Sequence, residues 1–190
     1  VFQKGIKMKR HPLTVINLFG TSGSGKSTTA ARLFAAMNNG HNKVELINEH
    51  AKQMVWEGQH ARHFENQLSI TANQHNKQLN LAHSNMEFCI TDSPLLLGHV
   101  YTPKDYFPSY STWLDEVFDS FININFLLVR NSFAYDPVGR NQTEEQSKQL
   151  HYDIINKKKK KSISYYPLDS NYETYSTIIE ILQHRGVIAK

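Results

Sequence analysis

The sequence contains a single cysteine, Cys89, and this scarcity excludes two classes of small protein. One cysteine cannot form a disulfide framework, and it cannot supply the thiolate set of a cysteine-built zinc site. Hydrophobic runs are short. A membrane-spanning helix needs about 18 consecutive apolar residues, and no segment of the sequence approaches that length. The first residues also lack the pattern of a secretory signal. We therefore expect a soluble, cytoplasmic protein.

The composition favours one folded domain over residues 1–190. Hydrophobic residues make up 39% of the chain and charged residues 20%, which excludes wholesale disorder. Twenty-one Lys and Arg residues against seventeen Asp and Glu leave a net charge of +4. This mild excess suits an anionic ligand, nucleotide or nucleic acid, without deciding between them. Residues 1–10 are basic and aperiodic, and they predict a loose arm.

Short apolar runs alternate with helical patterns along the chain. The predicted strands cover residues 13–19, 43–48, 87–91, 122–129 and about 162–166. The first predicted helix begins at Lys26 and ends at residues 38–40. Further helices are predicted over about 62–84, 112–118, 144–156 and 172–184. Alternation of this kind predicts an α/β fold with a parallel sheet covered on both faces.

The longest predicted helix carries both an apolar stripe and two amides. The stripe consists of Phe64, Leu68, His75, Leu79 and Ala82. Gln67 and Gln74 are seven residues apart and flank this stripe on one face. Their amides either read the edge of a nucleobase or form a solvated polar flank, and the sequence leaves both interpretations open.

A glycine-rich loop lies between the first predicted strand and the first predicted helix. Residues 20–27, Gly-Thr-Ser-Gly-Ser-Gly-Lys-Ser, match the G-x-x-x-x-G-K-[ST] pattern in full. Glycines let backbone N–H groups approach phosphate oxygens, and the new helix adds its positive end. Lys26 would reach the β- and γ-phosphates, and the Ser27 hydroxyl would be a ligand of Mg²⁺. The predicted ATP-binding residues are Gly20, Thr21, Ser22, Gly23, Ser24, Gly25, Lys26, Ser27 and Thr28.

Two further absences narrow the class of nucleotide-binding protein. None of the Asn-Lys pairs is followed by the Asp of a GTPase base-reading motif. Asp92 ends the third predicted strand and is followed by Ser93, where a helicase or AAA+ motor places a glutamate. These absences favour a kinase. The alternative is a nucleotide-binding switch or an ATPase without a small-molecule acceptor.

Two carboxylates lie at the carboxyl ends of predicted strands, where open α/β sheets bind ligands. Glu49 follows the second strand and Asp92 follows the third. Either carboxylate can orient the acceptor hydroxyl, and Asp92 can instead hold Mg²⁺. The structural alternatives are a first-turn helix acid for Glu49 and a solvent-facing turn residue before Pro94 for Asp92.

Two arginines follow the fourth predicted strand. Arg140 lies beside Gly139 in the polar stretch 131–143, which predicts a mobile lid that brings an arginine over the transferred phosphoryl group. Arg130 ends the strand itself and is a weaker candidate for a substrate contact. A solvated loop arginine and a structural ion pair are the respective alternatives.

Three segments of the chain resemble those of a known family. Residues 20–27, the Thr-Asp-Ser-Pro segment at 91–94 and the Gly-Arg-Asn-Gln-Thr-Glu-Glu segment at 139–145 resemble small P-loop kinases of the NadR-like AAA group, widespread in bacteriophages. The resemblance implies a three-layer P-loop kinase fold with a five-stranded parallel sheet, ATP, Mg²⁺ and a small lid. Members of this group are called nucleotide or nucleoside kinases, so the resemblance also implies a nucleoside-type acceptor. Some phage P-loop kinases related to thymidylate kinase phosphorylate 5-hydroxymethyluracil within DNA, so a base in DNA is a second implied acceptor. The host cytoplasm is the implied location for a phage protein.

Weaker signals concern aromatic, histidine and lysine residues. Trp56 and Phe64 would stack a base or pack in the core, and the core is the favoured interpretation. His60 and His63 lack a third ligand at a diagnostic spacing, so surface histidines are favoured over a metal site. The lysine run 157–161 predicts either a solvated surface or contact with a phosphate backbone.

Overall fold

A computed structural model describes residues 10–21, 23–48, 66–103, 105–129 and 163–189. These residues form five strands and five helices. The strands are β1 (Thr14–Gly20), β2 (Val44–Ile47), β3 (Phe88–Thr91), β4 (Ile122–Val129) and β5 (Tyr166–Asp169). The helices are α1 (Lys26–Asn39), α2 (Gln67–His83), the short α3 (Gly98–Tyr101), α4 (Pro108–Asp119) and α5 (Thr174–His184), with a 3₁₀ turn at Leu95–Leu97.

The strands form one parallel sheet in the order β2-β3-β1-β4-β5. Strand β1 lies at the centre, where Asn17 is in register with Thr91 of β3 on one side and with Asn125 of β4 on the other. The loop after β1 therefore emerges in the middle of the carboxyl edge, where such sheets bind ligands. The predicted five-stranded parallel α/β fold is confirmed.

Helices cover both faces of the sheet, because β1 and β4 place apolar side chains alternately on each face. Helices α1 and α5 pack on one face, in a core that includes Ile16, Leu18, Leu33, Met37, Phe126, Ile178 and Leu182. The other face carries two clusters. The first includes Phe19, Leu96, Leu114 and Leu127, and the second includes Leu13, Val15, Ile47, Cys89 and Phe121. No helix in the described part of the chain is long and apolar enough to cross a membrane.

The face that helix α2 buries is not the face that the sequence predicts. Its buried residues are Gln67, Thr71, Gln74 and Gln78, whereas Leu68 of the predicted apolar stripe is 43% exposed. Leu79 and Ala82, near the carboxyl end of α2, do pack partly against the second cluster. The prediction that the apolar stripe faces the core is thus wrong for the first half of the helix. The reason is tertiary: Thr91 on β3 accepts a hydrogen bond from the Gln74 amide, and Tyr110 on α4 shares one with the Thr71 hydroxyl.

Two other elements differ from the prediction. Strand β5 begins at Tyr166, where the prediction ends, because this edge strand is only half-buried and contains Pro167, so its apolar alternation is weak. Helix α4 begins at Pro108, four residues before the predicted start, with proline in the first turn where its missing N–H is tolerated. The predicted helix 144–156 lies outside the described residues.

Candidate functional site

The loop between β1 and α1 makes a tight bend that requires glycine at two positions. Gly25, the residue before α1, has a φ of 76°, in the left-handed region that glycine adopts without strain. At Gly20 a Cβ atom would lie 2.4 Å from Ser24 Oγ and 2.9 Å from the carbonyl oxygen of Leu128. The loop therefore folds closely over itself and over the end of β4, as the glycine pattern predicts.

The start of α1 has neither a capping side chain at its N-cap nor an acidic residue in its first turn. The N-cap is Gly25, which has no side chain that could bond to the first N–H groups of the helix. The first N–H groups of a helix lack intrahelical partners and carry the positive end of the helix dipole. An anion such as a phosphate group is the natural ligand for this position.

Lys26 places a positive charge at the loop. Its Nζ donates hydrogen bonds to the carbonyl oxygens of Gly20, at 2.9 Å, and Thr21, at 2.8 Å. The ammonium group thus lies along the inner side of the loop. At this place it can neutralise the charge of a bound polyphosphate.

Ser27 and Asp92 meet directly. The Ser27 hydroxyl donates a hydrogen bond of 2.5 Å to Oδ2 of Asp92, which follows β3. Asp92 is only 4% exposed, so the alternative of a solvent-facing turn residue is wrong. Its place is set by β3, which pairs with β1 and so ends beside the loop.

This pair fits a magnesium ion. Asp92 Oδ1 is buried and finds no hydrogen-bond partner among the described residues, which is unfavourable for a carboxylate oxygen unless a cation satisfies it. A hydroxyl and a carboxylate are oxygen donors, the type that Mg²⁺ prefers. Within the described ranges no group of three His, Cys, Asp or Glu residues could hold a metal. Mg²⁺ usually takes its remaining ligands from phosphate and water.

Ser170 is a contributor that sequence reasoning missed. It follows β5, is fully buried, and its hydroxyl donates to the carbonyl oxygen of Ser24 in the loop at 2.5 Å. Its own N–H bonds to the carbonyl oxygen of Val129 at 2.8 Å. The end of β5 thus holds the glycine-rich loop from the side opposite Asp92. A lone serine after an edge strand gives no local signal for such a contact.

The amides on α2 lie inside the protein. Gln67 is 6% and Gln74 is 3% exposed, so the interpretation as a solvated polar flank is wrong. Gln74 Nε2 donates to Thr91 Oγ1 at 2.9 Å, whereas Gln74 Oε1 has no partner in the described part of the chain. Gln74 therefore contacts the strand end that precedes Asp92.

A hydroxyl pair lies between α2 and α4. The hydroxyls of Thr71 and Tyr110 are 2.7 Å apart, and the backbone carbonyl of Gln67 lies 3.4 Å from the same Tyr110 hydroxyl. Burial raises the pKa of Tyr110 above its ordinary value, so the phenol stays protonated at neutral pH. Sequence reasoning assigned no role to Thr71 or Tyr110.

A protein-family comparison agrees with this geometry. The profile of an AAA domain family matches residues 15–174, from the second residue of β1 to the first residue of α5. The chain belongs to this AAA domain family. No curated protein matches the chain.

Solved structures share the fold of this AAA domain. The crystal structure of NadR in complex with NR superimposes with a TM-score of 0.69 at 15% sequence identity, over 96% of this chain and 53% of the NadR chain. The chain thus spans about half the length of NadR. Thymidylate kinase from Ehrlichia chaffeensis gives a TM-score of 0.65 at 17% identity, over 90% of this chain and 99% of the kinase. At these identities the comparisons show the P-loop kinase fold of the AAA domain.

Several predicted site residues lie outside the described residues of the AAA domain. They are Ser22, Glu49, Arg130 and Arg140, together with the lid 131–143. The same holds for Trp56, His60, His63, Phe64, the lysine run 157–161 and most of the arm 1–10. Their roles stay predictions.

Proposed function

We propose that the chain is an ATP- and Mg²⁺-dependent kinase that transfers the γ-phosphoryl group to a hydroxyl or phosphate of a nucleoside-type acceptor. The observation that carries this proposal is the contact between Ser27 and Asp92 beside the Lys26 loop. It brings together a polyphosphate cradle and two oxygen donors for a cation, the parts on which phosphoryl transfer depends.

The described residues divide the work of holding the nucleotide. Loop N–H groups and the Lys26 ammonium bind the triphosphate, and Ser27 with Asp92 binds the cation. When bound, Mg²⁺ neutralises the charge of the β- and γ-phosphate oxygens. Ser170 keeps the loop against the sheet through the Ser24 carbonyl, so the cradle is already formed before the nucleotide arrives.

The acceptor side rests on Glu49, Arg140 and the amides of α2. Because Asp92 is engaged with Ser27, Glu49 is the better candidate for orienting the acceptor hydroxyl. Arg140 would close over the reacting group from the lid, and Arg130 would contact the substrate. Gln67 and Gln74 are the proposed contacts to the acceptor itself.

The acceptor has two proposed forms, a free nucleoside or nucleotide and a hydroxymethylated base in phage DNA. One fold relative, NadR, is crystallised in complex with NR, and another is a thymidylate kinase, which supports an acceptor of the nucleoside or nucleotide class. The net charge of +4 suits DNA as well as a free nucleotide. Activity on DNA would fall steeply as the salt concentration rises, because counterions compete for the phosphate backbone.

One experiment tests the proposal. The protein is incubated with γ-labelled ATP, Mg²⁺ and one acceptor at a time. The acceptors are nucleosides, nucleoside monophosphates, and DNA with or without 5-hydroxymethyluracil. Label in one of these acceptors supports the kinase and identifies its substrate class. ATP hydrolysis that no acceptor stimulates would instead favour the switch or ATPase alternative.

A further inference from the structure

A hydrogen-bonded connection runs from helix α2 to the turn that carries Asp92. Gln74 Nε2 donates to Thr91 Oγ1 at 2.9 Å, and the backbone N–H of Ser93 donates to the same oxygen at 3.1 Å. Two donors from different elements thus converge on one hydroxyl. Asp92 lies between Thr91 and Ser93, so the connection encloses the residue that contacts Ser27.

These two hydrogen bonds hold the backbone turn that carries Asp92. Thr91 is fully buried at the end of β3 and is held in register with Asn17 of β1. A threonine hydroxyl that accepts from the N–H two residues later forms a local turn in the backbone. Gln74 donates a second hydrogen bond to that hydroxyl and so limits the rotation of the Thr91 side chain.

We propose that Gln74 is a positioning residue for Asp92, acting through Thr91, so that it sets the affinity of the site for a divalent cation. This inference rests on the proposed function, because it takes Ser27 and Asp92 as the cation-binding pair. It gives the Nε2 side of Gln74 a role separate from any contact that Oε1 makes to the acceptor.

The neighbouring amide shows that this bond is specific to Gln74. Gln78 lies one turn further along the same buried face and is 1% exposed. Neither its Oε1 nor its Nε2 has a hydrogen-bond partner among the described residues. Burial of an amide on α2 therefore does not by itself produce a bond to the sheet, and Gln78 is a matched control.

The test uses substitutions that keep volume and remove the bond. Gln74→Met and Gln74→Leu delete the donor, Thr91→Val deletes the acceptor, and Thr91→Ser retains a hydroxyl. Gln78→Met is the control for the loss of a buried amide. Each variant is first checked for folding by thermal denaturation, and the two Gln74 variants keep the test valid if Thr91→Val does not fold.

The main measurement is Mn²⁺ binding in the presence of ATP, which electron paramagnetic resonance detects. We expect Gln74→Met and Thr91→Val to weaken Mn²⁺ binding about tenfold, the size typical of losing an outer-shell partner. Thr91→Ser and Gln78→Met should bind Mn²⁺ as the unmodified protein does. A double variant that combines Gln74→Met and Thr91→Val should bind Mn²⁺ as weakly as the single variant with the lower affinity, and no more weakly, because both changes break the same connection.

Three results would overturn the inference, and a fourth would overturn the proposed function as well. Unchanged Mn²⁺ binding in both Gln74 variants contradicts it, and so does a rise in the acceptor KM alone, which would assign the amide to the acceptor. Equal weakening in Gln74→Met and Gln78→Met would reduce the effect to helix packing. If the unmodified protein binds no Mn²⁺ with ATP, the proposed function itself fails, which the variants alone would not indicate.

Discussion

Ser27 Oγ lies 2.5 Å from Asp92 Oδ2, although 65 positions separate the two residues in the sequence. Parallel pairing of β1 and β3 produces this contact, because both strands end at the same edge of the sheet. The loop after β1 then leads into α1, whose second residue is Ser27. The Lys26 ammonium, bonded to the loop carbonyls, lies in the same short segment.

Replacing Lys26 tests the charge of the loop. Lys26→Ala should lower turnover by about two orders of magnitude or more, since removing a positioned electrostatic group has an effect of this size. The fold should persist, as judged by thermal denaturation. Lys43→Ala is the control, because Lys43 is exposed and its 3.6 Å ion pair with Glu87 lies on the surface. Undiminished product formation by Lys26→Ala would refute the assigned role.

Replacing Gly20 tests the close approach of the loop to β4. Gly20→Ala should destabilise the protein by about 1–3 kcal/mol or more, because the new methyl would overlap Ser24 Oγ and the Leu128 carbonyl. Urea denaturation measures the change, and nucleotide binding should weaken with it. Gly186→Ala is the matched control, with φ +66° but no described atom beyond its chain neighbours within 4 Å of the added Cβ, so only backbone strain of about 1 kcal/mol is expected. Equal losses in both variants would argue against steric crowding at Gly20.

Replacing Gln78 tests the cost of an unpaired buried amide. Gln78→Met should leave stability unchanged or raise it by about 1 kcal/mol, because the variant removes two buried polar atoms without partners among the described residues. Chemical denaturation measures the difference. A loss of more than about 1 kcal/mol would indicate that the amide is satisfied, for example by ordered water.

The glycine-rich loop and the meeting of Ser27 with Asp92 were predictable from the sequence, whereas the buried face of α2 was not. A phosphate loop is a local pattern, and Asp92 follows a short apolar run that indicates a buried strand. The inward face of α2 depends on partners such as Thr91 and Tyr110, which lie far away in the sequence. Hydrophobic periodicity cannot find a face made of glutamine and threonine.

The same reasoning explains why strand β4 was predicted in full and β5 was not. Residues Ile122–Val129 form a long run with a buried core, so the apolar pattern gives both ends. Strand β5 is a short edge strand with alternating half-buried and exposed residues, so its signal is weak. Its functional contribution, Ser170, depends on a tertiary contact to Ser24 that no local pattern carries.

A pH dependence of stability should arise at the other end of the sheet. Burial, and then repulsion from His11, hold the pKa of His75 below its ordinary value. His75 lies at the edge of the Phe121 ring, at 5.9 Å, and His11 stacks on the same ring at 5.1 Å. The unfolded chain therefore takes up a proton at a higher pH than the folded one, so stability should fall as the pH drops below about 6.5.

The check for this prediction is denaturation between about pH 7.5 and about pH 5.5. His75→Gln should make stability less dependent on pH over this interval. His184→Gln, which changes an exposed residue at the end of α5, should keep the slope of the unmodified protein. A His75→Gln variant with an unchanged slope would contradict this source of the pH dependence.

The most direct test of the proposed site is calorimetry of ATP binding with and without Mg²⁺. We expect the unmodified protein to bind ATP more tightly when Mg²⁺ is present. Asp92→Asn should still bind metal-free ATP through the loop, but it should lose about 10- to 100-fold of the enhancement by Mg²⁺. The absence of any heat of ATP binding, or an enhancement by Mg²⁺ that Asp92→Asn leaves intact, would contradict the account.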